Sequence, residues 1–287
     1  MRKVIDLTKM PEYKFDESYG LPSGINAEIE IVKFNKDYYK IYFDDSTRTD
    51  STLKKPKQLR QGPKWVEQEI ISIQEKDKPD ATDIFKILAW KAGKIDYKKS
   101  IDSKIVFVSN WVIGSCFQMS NQEVVSWNRF LPIANDIAVI WSDYRNNNKK
   151  DEAAQNAWES LVELATNTHK NTMKGIGPVI LVTLLFFITK AEYPIYDRFA
   201  MSSLIAWELD QQGITLPTGT IINGCGLPPK EKPEELKALL KCGKYADYIQ
   251  LLKSFCLKEY GKEDIWKKER SVDQALYVYG HFYDARY

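Results

Sequence analysis

Residues 178–188, PVILVTLLFFI, form an apolar run of 11 residues that carries one threonine and no charge. As a helix such a run has no polar face to offer water, so it must be enclosed on every side. It is too short to cross a bilayer, which takes about 20 apolar residues. Gly177 and Pro178 mark its start, since proline suits the first helical position. Pro194 prevents its continuation on the far side. The chain must therefore supply several other elements to bury one central helix. With 44% hydrophobic and 28% charged residues in a chain of 287, it has the material to do so.

Those elements can be read along the sequence. Residues 26–43, NAEIEIVKFNKDYYKIYF, alternate in period two on both sides of NKD and predict a β-hairpin. The next stretch, DDSTRTDSTLKKPKQLRQGPKW, is polar and holds two prolines, which predicts a loop. Within it Lys54, Lys55, Lys57, Arg60 and Lys64 form a basic cluster, read as a solvated loop or as a phosphate-contacting arm. From about Pro79 the period becomes helical. DATDIFKILAWKAGKI follows a capping residue, NQEVVSWNRFLPIANDIAVIWSDYR predicts one or two helices interrupted near Pro132, and DEAAQNAWESLVELAT is amphipathic. FAMSSLIAWELDQQG, EELKALLKCGKYADYIQLLKSFCLKEYG and SVDQALYVYGHFY predict further helices, while SKIVFVSNWVIGSCF is ambiguous between strand and helix. The expected organisation is a β-containing unit over residues 1–75 and a helical body over 76–287.

The net charge of +2 from 41 basic and 39 acidic residues excludes a polycation, so any anion-binding surface must arise from local placement. Cys116, Cys225, Cys242 and Cys256 form no C-x-x-C pair, which removes the usual zinc and redox spacings. Four free thiols in a reducing cytoplasm are expected. The opening MRKVIDLTKMPEYKFDESYG lacks an apolar core and does not read as a secretory signal.

The turn MKGIGP before the apolar run adds chemistry. A helical pattern, a turn with Gly175 and Gly177, and a new helix at Pro178 together predict a helix-hairpin-helix. Glycines there permit positive φ and close approach of another backbone. The N–H groups at the new helix start favour a phosphate, gripped without reading sequence. Beyond the apolar helix the chain runs YPIYD, and Asp197 stands where the next helix begins. Asp is a preferred N-cap, so capping is the first reading of Asp197.

Register adds a second reading. Gly-Ile-Gly, an apolar helix, then Pro-Ile-Tyr-Asp, with Asp197 placed 20 positions after Gly177, resembles the helix-hairpin-helix DNA glycosylases. YPIYD is similar to the FPILD segment of the adenine glycosylase branch. The match covers about 25 residues, with a looser helical likeness from Pro79 through SVDQALYVYG and none in the N-terminal unit.

The resemblance implies a mostly α fold, a helix-hairpin-helix glycosylase-like body behind a small N-terminal β-containing unit. It implies that Gly175, Ile176 and Gly177, with Lys174, hold a DNA phosphate, and that Asp197 is the catalytic carboxylate. Base-pocket roles fall to Trp90 and Lys91, and contacts to the DNA backbone to Arg198 and His169; for Trp90 core packing is the competing reading. Strand-cutting relatives carry a Schiff-base lysine two residues after the second glycine. Val179 stands there, so a monofunctional enzyme using water is expected. A monovalent cation at the hairpin carbonyls is implied, with no metal held by side chains. An iron–sulfur cluster is not expected, because Cys225, Cys242 and Cys256 are too few and too far apart. DNA is the implied partner, without a membrane, and the location is cytoplasmic, on the nucleoid in a bacterium. Two other readings stand beside the enzyme: a non-catalytic DNA-binding module that keeps the hairpin, and an all-helical protein adaptor in which Asp197 only caps.

Overall fold

A computed structural model describes residues 34–42, 64–92, 127–166, 176–214, 222 and 225–281. These are mostly helical, and no strand occurs among the described residues. The helices are α1 (Tyr39–Tyr42), α2 (Lys64–Ser72), α3 (Ala81–Lys91), α4 (Trp127–Asn146), α5 (Lys150–Thr166), α6 (Pro178–Ile188), α7 (Arg198–Gln211), α8 (Pro233–Lys237), α9 (Lys244–Tyr260) and α10 (Ser271–Gly280). The chain divides into two compact units. A mid-chain unit comprises Gly62–Tyr196 and Leu227–Ala246; a terminal unit comprises Met1–Gln61, Asp197–Gly226 and Asp247–Tyr287.

The mid-chain unit is organised around α6. Helices α3, α4 and α5 and the 3-10 turn Ile73–Glu75 all pack against it. Every residue from Leu181 to Ile188 is buried, Thr183 included. The hydroxyl of Thr183 donates to Val179 O at 2.9 Å, which satisfies the one polar side chain of the helix internally. Burying each large apolar side chain contributes roughly 1.5–3 kcal/mol. Seven of them on one helix rival the whole net stability of a typical domain, about 5–15 kcal/mol. The surrounding helices contribute Ile84, Ile87 and Leu88 from α3, Ile137 and Trp141 from α4, and Trp158 and Leu161 from α5. Helix α3 starts at a reciprocal capping box, in which Asp80 and Asp83 each accept the other's backbone N–H. Helix α4 runs unbroken through Pro132, which lies at its sixth residue; the expected interruption is absent. Lys64, read as part of the basic loop, is the first residue of α2, and the other members of that cluster lie outside the described residues.

In the terminal unit α10 is the centre, packed by α7, α1 and the 3-10 turn Lys36–Tyr38. The β-hairpin reading is corrected here. Residues 36–42 are helical, so the second arm is not a strand, and the first arm up to residue 33 lies outside the described residues. Asn35 caps this helical turn by accepting from Asp37 N at 2.9 Å. Tyr38 and Tyr42, four apart and thus on one helical face, are both buried. Tyr38 stacks on Tyr279 with ring centroids at 5.4 Å, and Tyr42 meets Tyr277 edge-on at 5.6 Å. Phe34 adds edge contacts to Phe255 and Tyr279. Aromatic residues in this segment therefore follow a helical spacing that also fits a short alternating strand.

Helices α7 and α10 approach closely at Gly280. A Cβ built there would lie 1.8 Å from the carbonyl oxygen of Phe199, a backbone atom that cannot rotate away. Gly280→Ala is expected to lower unfolding stability by about 3 kcal/mol, at the upper end for overpacking, read as a shift of the urea midpoint at unchanged slope.

Candidate functional site

The start of α6 lies in the mid-chain unit. Ile176 is fully buried and anchors the turn, whereas Gly177 through Ile180 are half-exposed. Gly177 is the N-cap of α6, with Pro178 directly after it. Its backbone is extended, φ −87° and ψ 170°, so this glycine is not used for a left-handed conformation, contrary to one of its two expected uses. A Cβ at Gly177 would meet nothing within 4 Å, so among the described residues no other backbone comes close to this glycine. Gly177 O accepts from Ile180 N at 3.0 Å and Leu181 N at 3.3 Å. That carbonyl is committed to the helix, so a cation at this turn would have to use the preceding carbonyls. Val179, at the position of the Schiff-base lysine of strand-cutting relatives, is half-exposed. Lys174, Gly175 and His169 lie outside the described residues, as does Cys116.

At its other end α6 passes into the strap that leads to Asp197. The chain turns through two consecutive residues with positive φ, Lys190 at 52° and Ala191 at 65°, neither of them glycine. Helical carbonyls there are covered in turn. Ala191 N donates to Phe186 O at 2.9 Å, the long bond of a Schellman-type ending. Arg145, from α4, donates to Phe187 O at 3.1 Å and to Gln74 O at 2.5 Å. The Thr189 hydroxyl donates to Leu185 O at 2.8 Å and accepts from Tyr193 N at 3.4 Å. Further along, the Tyr245 hydroxyl donates to Pro194 O at 2.7 Å. Lys91 reaches Tyr196 O at 3.5 Å. Trp90 meets Phe187 edge-on at 6.1 Å, so it packs on α6 while remaining part-exposed. Both residues assigned to a base pocket therefore also have structural work within this unit.

Asp197 begins the second segment of the terminal unit and is the N-cap of α7. Its Oδ1 accepts from Phe199 N at 2.9 Å, and its carbonyl accepts from Met201 N at 2.9 Å. It is half-buried, neither sealed in the core nor fully in water. The capping reading is thus realised, and it fixes the carboxylate by one oxygen. Arg198 lies 4.4 Å from the Phe199 ring, a cation–π contact within the same turn. The His281 imidazole is stacked on the Phe199 ring at 3.7 Å, with Tyr277 edge-on to the imidazole at 4.7 Å. His281 is 4% exposed, and burial, with a smaller push from Arg198, lowers its pKa from 6.5 to about 3. Neither His281 nor Tyr245 stands out in the sequence, because Phe199 and Pro194, which they meet, are distant in the chain and no spacing rule points to them.

Among the described residues no group of three or more His, Cys, Asp and Glu could hold a metal ion, and no helix is long and apolar enough to cross a membrane. Compared with protein-family models, with curated proteins and with solved structures, the chain matches none.

Two measurements follow from this geometry. Asparagine caps helices as well as aspartate does, so Asp197→Asn is expected to keep the melting temperature, whereas Asp197→Ala loses about 1 kcal/mol. The second concerns His281. Above pH 6.5 its imidazole is neutral whether the chain is folded or unfolded. As pH falls from 6.5 towards about 3, the unfolded chain takes up a proton that the folded one refuses. Stability therefore falls by up to about 1.4 kcal/mol per pH unit across that window. Denaturation curves of His281→Phe between pH 7 and 4 should show a shallower loss by that amount.

Proposed function

We propose that this chain is a monofunctional DNA base-excision glycosylase of the helix-hairpin-helix kind. The observation that carries the reading is one register. Gly177 is the half-exposed N-cap of α6, and Asp197 stands 20 positions later as a half-buried carboxylate that caps α7. The packing of α5 against α6 supports it, since a helix-hairpin-helix needs two such neighbours.

In this mechanism the turn at Gly175, Ile176 and Gly177, with Lys174, grips a phosphate of the duplex and a damaged or mismatched base is flipped out. The bond from the base to the sugar C1′ breaks, leaving oxocarbenium character on the sugar. The Asp197 carboxylate stabilises that charge and orients a water, whose oxygen bonds to C1′ while its proton passes to the departing base. A bond from Phe199 N holds the carboxylate in one orientation, which suits electrostatic stabilisation because little reorganisation is needed. Val179 offers no amine for a Schiff base, so the product is an abasic site in an uncut strand. Arg198 and His169 are assigned to backbone contacts, and Trp90 and Lys91 to the edge of the base pocket.

The capping bond also favours a second reading, a DNA-binding module without chemistry in which Asp197 is only structural. Base release separates the two. Duplexes carrying oxidised, alkylated, deaminated or mismatched bases are incubated with the protein and assayed for abasic sites. The enzyme reading expects release that Asp197→Asn lowers by about 100-fold or more, with duplex affinity kept. Salt-dependent binding with no release from any substrate leaves the module.

A further inference from the structure

We propose that Tyr245 is a positioning residue for the catalytic carboxylate: its hydroxyl latches the carbonyl of Pro194 and thereby fixes the backbone that delivers Asp197. The inference rests on the glycosylase reading of Asp197.

The segment after α6 has to cross from a left-handed turn at Lys190 and Ala191 to the first residue of α7, and helix hydrogen bonds do not govern that passage. Side chains from elsewhere in the mid-chain unit take their place. Tyr245 is fully buried, and its bond to Pro194 O, at 2.7 Å, spans 51 positions of sequence. The same ring meets that of Tyr196 edge-on at 6.1 Å, and Tyr196 is fully buried as well. One side chain therefore holds the strap at two points, three residues and one residue before Asp197. Pro194 fixes its own φ through its ring, so the latched carbonyl sits on a stiff residue. Lys91 adds a weaker, longer contact to the carbonyl of Tyr196, the peptide that leads into Asp197. Burial raises the Tyr245 phenol well above its ordinary pKa, so the hydroxyl stays protonated and donates throughout the working pH range. The distance is that of a strong hydroxyl-to-carbonyl bond. A buried carbonyl that loses such a donor has reason to move toward another one. Displacement of a catalytic group by about 1 Å can cost on the order of 100-fold in rate.

Tyr245→Phe removes only the hydroxyl and keeps the ring. The control is Ser142→Ala in the same unit, which likewise removes only a hydroxyl, one that donates to Ala138 O at 2.9 Å within α4 and away from the strap. Both variants are compared with the unaltered chain by amide hydrogen exchange and by base release from the duplex panel. Tyr245→Phe is expected to speed exchange about 10-fold or more in peptides covering 192–198 and to lower kcat by about 10- to 100-fold, with KM for the duplex within about twofold. Ser142→Ala is expected to leave both readouts at those of the unaltered chain. Unchanged exchange at 192–198, or a kcat unchanged in Tyr245→Phe or equally lowered in the control, overturns the positioning role. An unaltered chain that releases no base from any substrate overturns the glycosylase reading and this role with it. Release by the unaltered chain that survives in Tyr245→Phe overturns the role alone.

Discussion

The fold of the mid-chain unit follows from the need to remove one helix from water on all sides. Helix α6 presents apolar residues around its full circumference, and a single layer of neighbours cannot cover that. Helices α3, α4 and α5 and the turn at Ile73–Glu75 each close one sector. The consequence is that the two ends of α6 are the only places where its backbone can do anything but pack. At one end the chain enters through Gly177 with space around it; at the other it leaves through a strap whose polar groups need partners.

Those partners show how a buried polar ledger is settled without regular structure. A buried carbonyl without a donor costs about 1–3 kcal/mol, more than the net gain of an ordinary hydrogen bond. Arg145 and Tyr245 supply donors from α4 and α9 to Phe187 O and Pro194 O. Thr189 turns its hydroxyl both ways, donating to the helix and accepting from the strap. The terminal unit solves a different problem with aromatic area. Phe34, Tyr38, Tyr42, Phe255, Tyr277 and Tyr279 assemble around α10 through edge and stacked contacts.

How much of this is legible in the sequence depends on the range of the interaction. Helix α6 is readable because composition alone decides its environment, and Gly177, Pro178 and Pro194 punctuate it locally. Asp197 as a cap is readable for the same reason, since its partner Phe199 N is two residues away. Residues 36–42, KDYYKIY, read as a strand arm in sequence because they satisfy period two and a four-residue spacing alike. Their true state is decided by α10, more than 200 positions later, and pattern alone cannot choose. The role of Tyr245 is hidden more deeply. In KYADYIQLLKSFC it is one apolar position among several, and only its hydroxyl, placed by the fold against Pro194, distinguishes it. His281 is equally silent in sequence, since an imidazole beside tyrosines is ordinary until Phe199 stacks on it.

The left-handed pair Lys190–Ala191 has a consequence for how this region can vary. A non-glycine residue held at positive φ costs on the order of 1–2 kcal/mol, and it persists only where the surroundings over-determine it. Connections between helices ordinarily absorb insertions and deletions. Here the carbonyls of Phe187, Pro194 and Tyr196 are each matched to a donor on a different helix. Adding or removing one residue between Thr189 and Asp197 would shift at least one of these carbonyls off its donor and carry the strain to a new place. The connection is thus a gauge block rather than a tether: its side chains can be exchanged one at a time, but its length cannot drift.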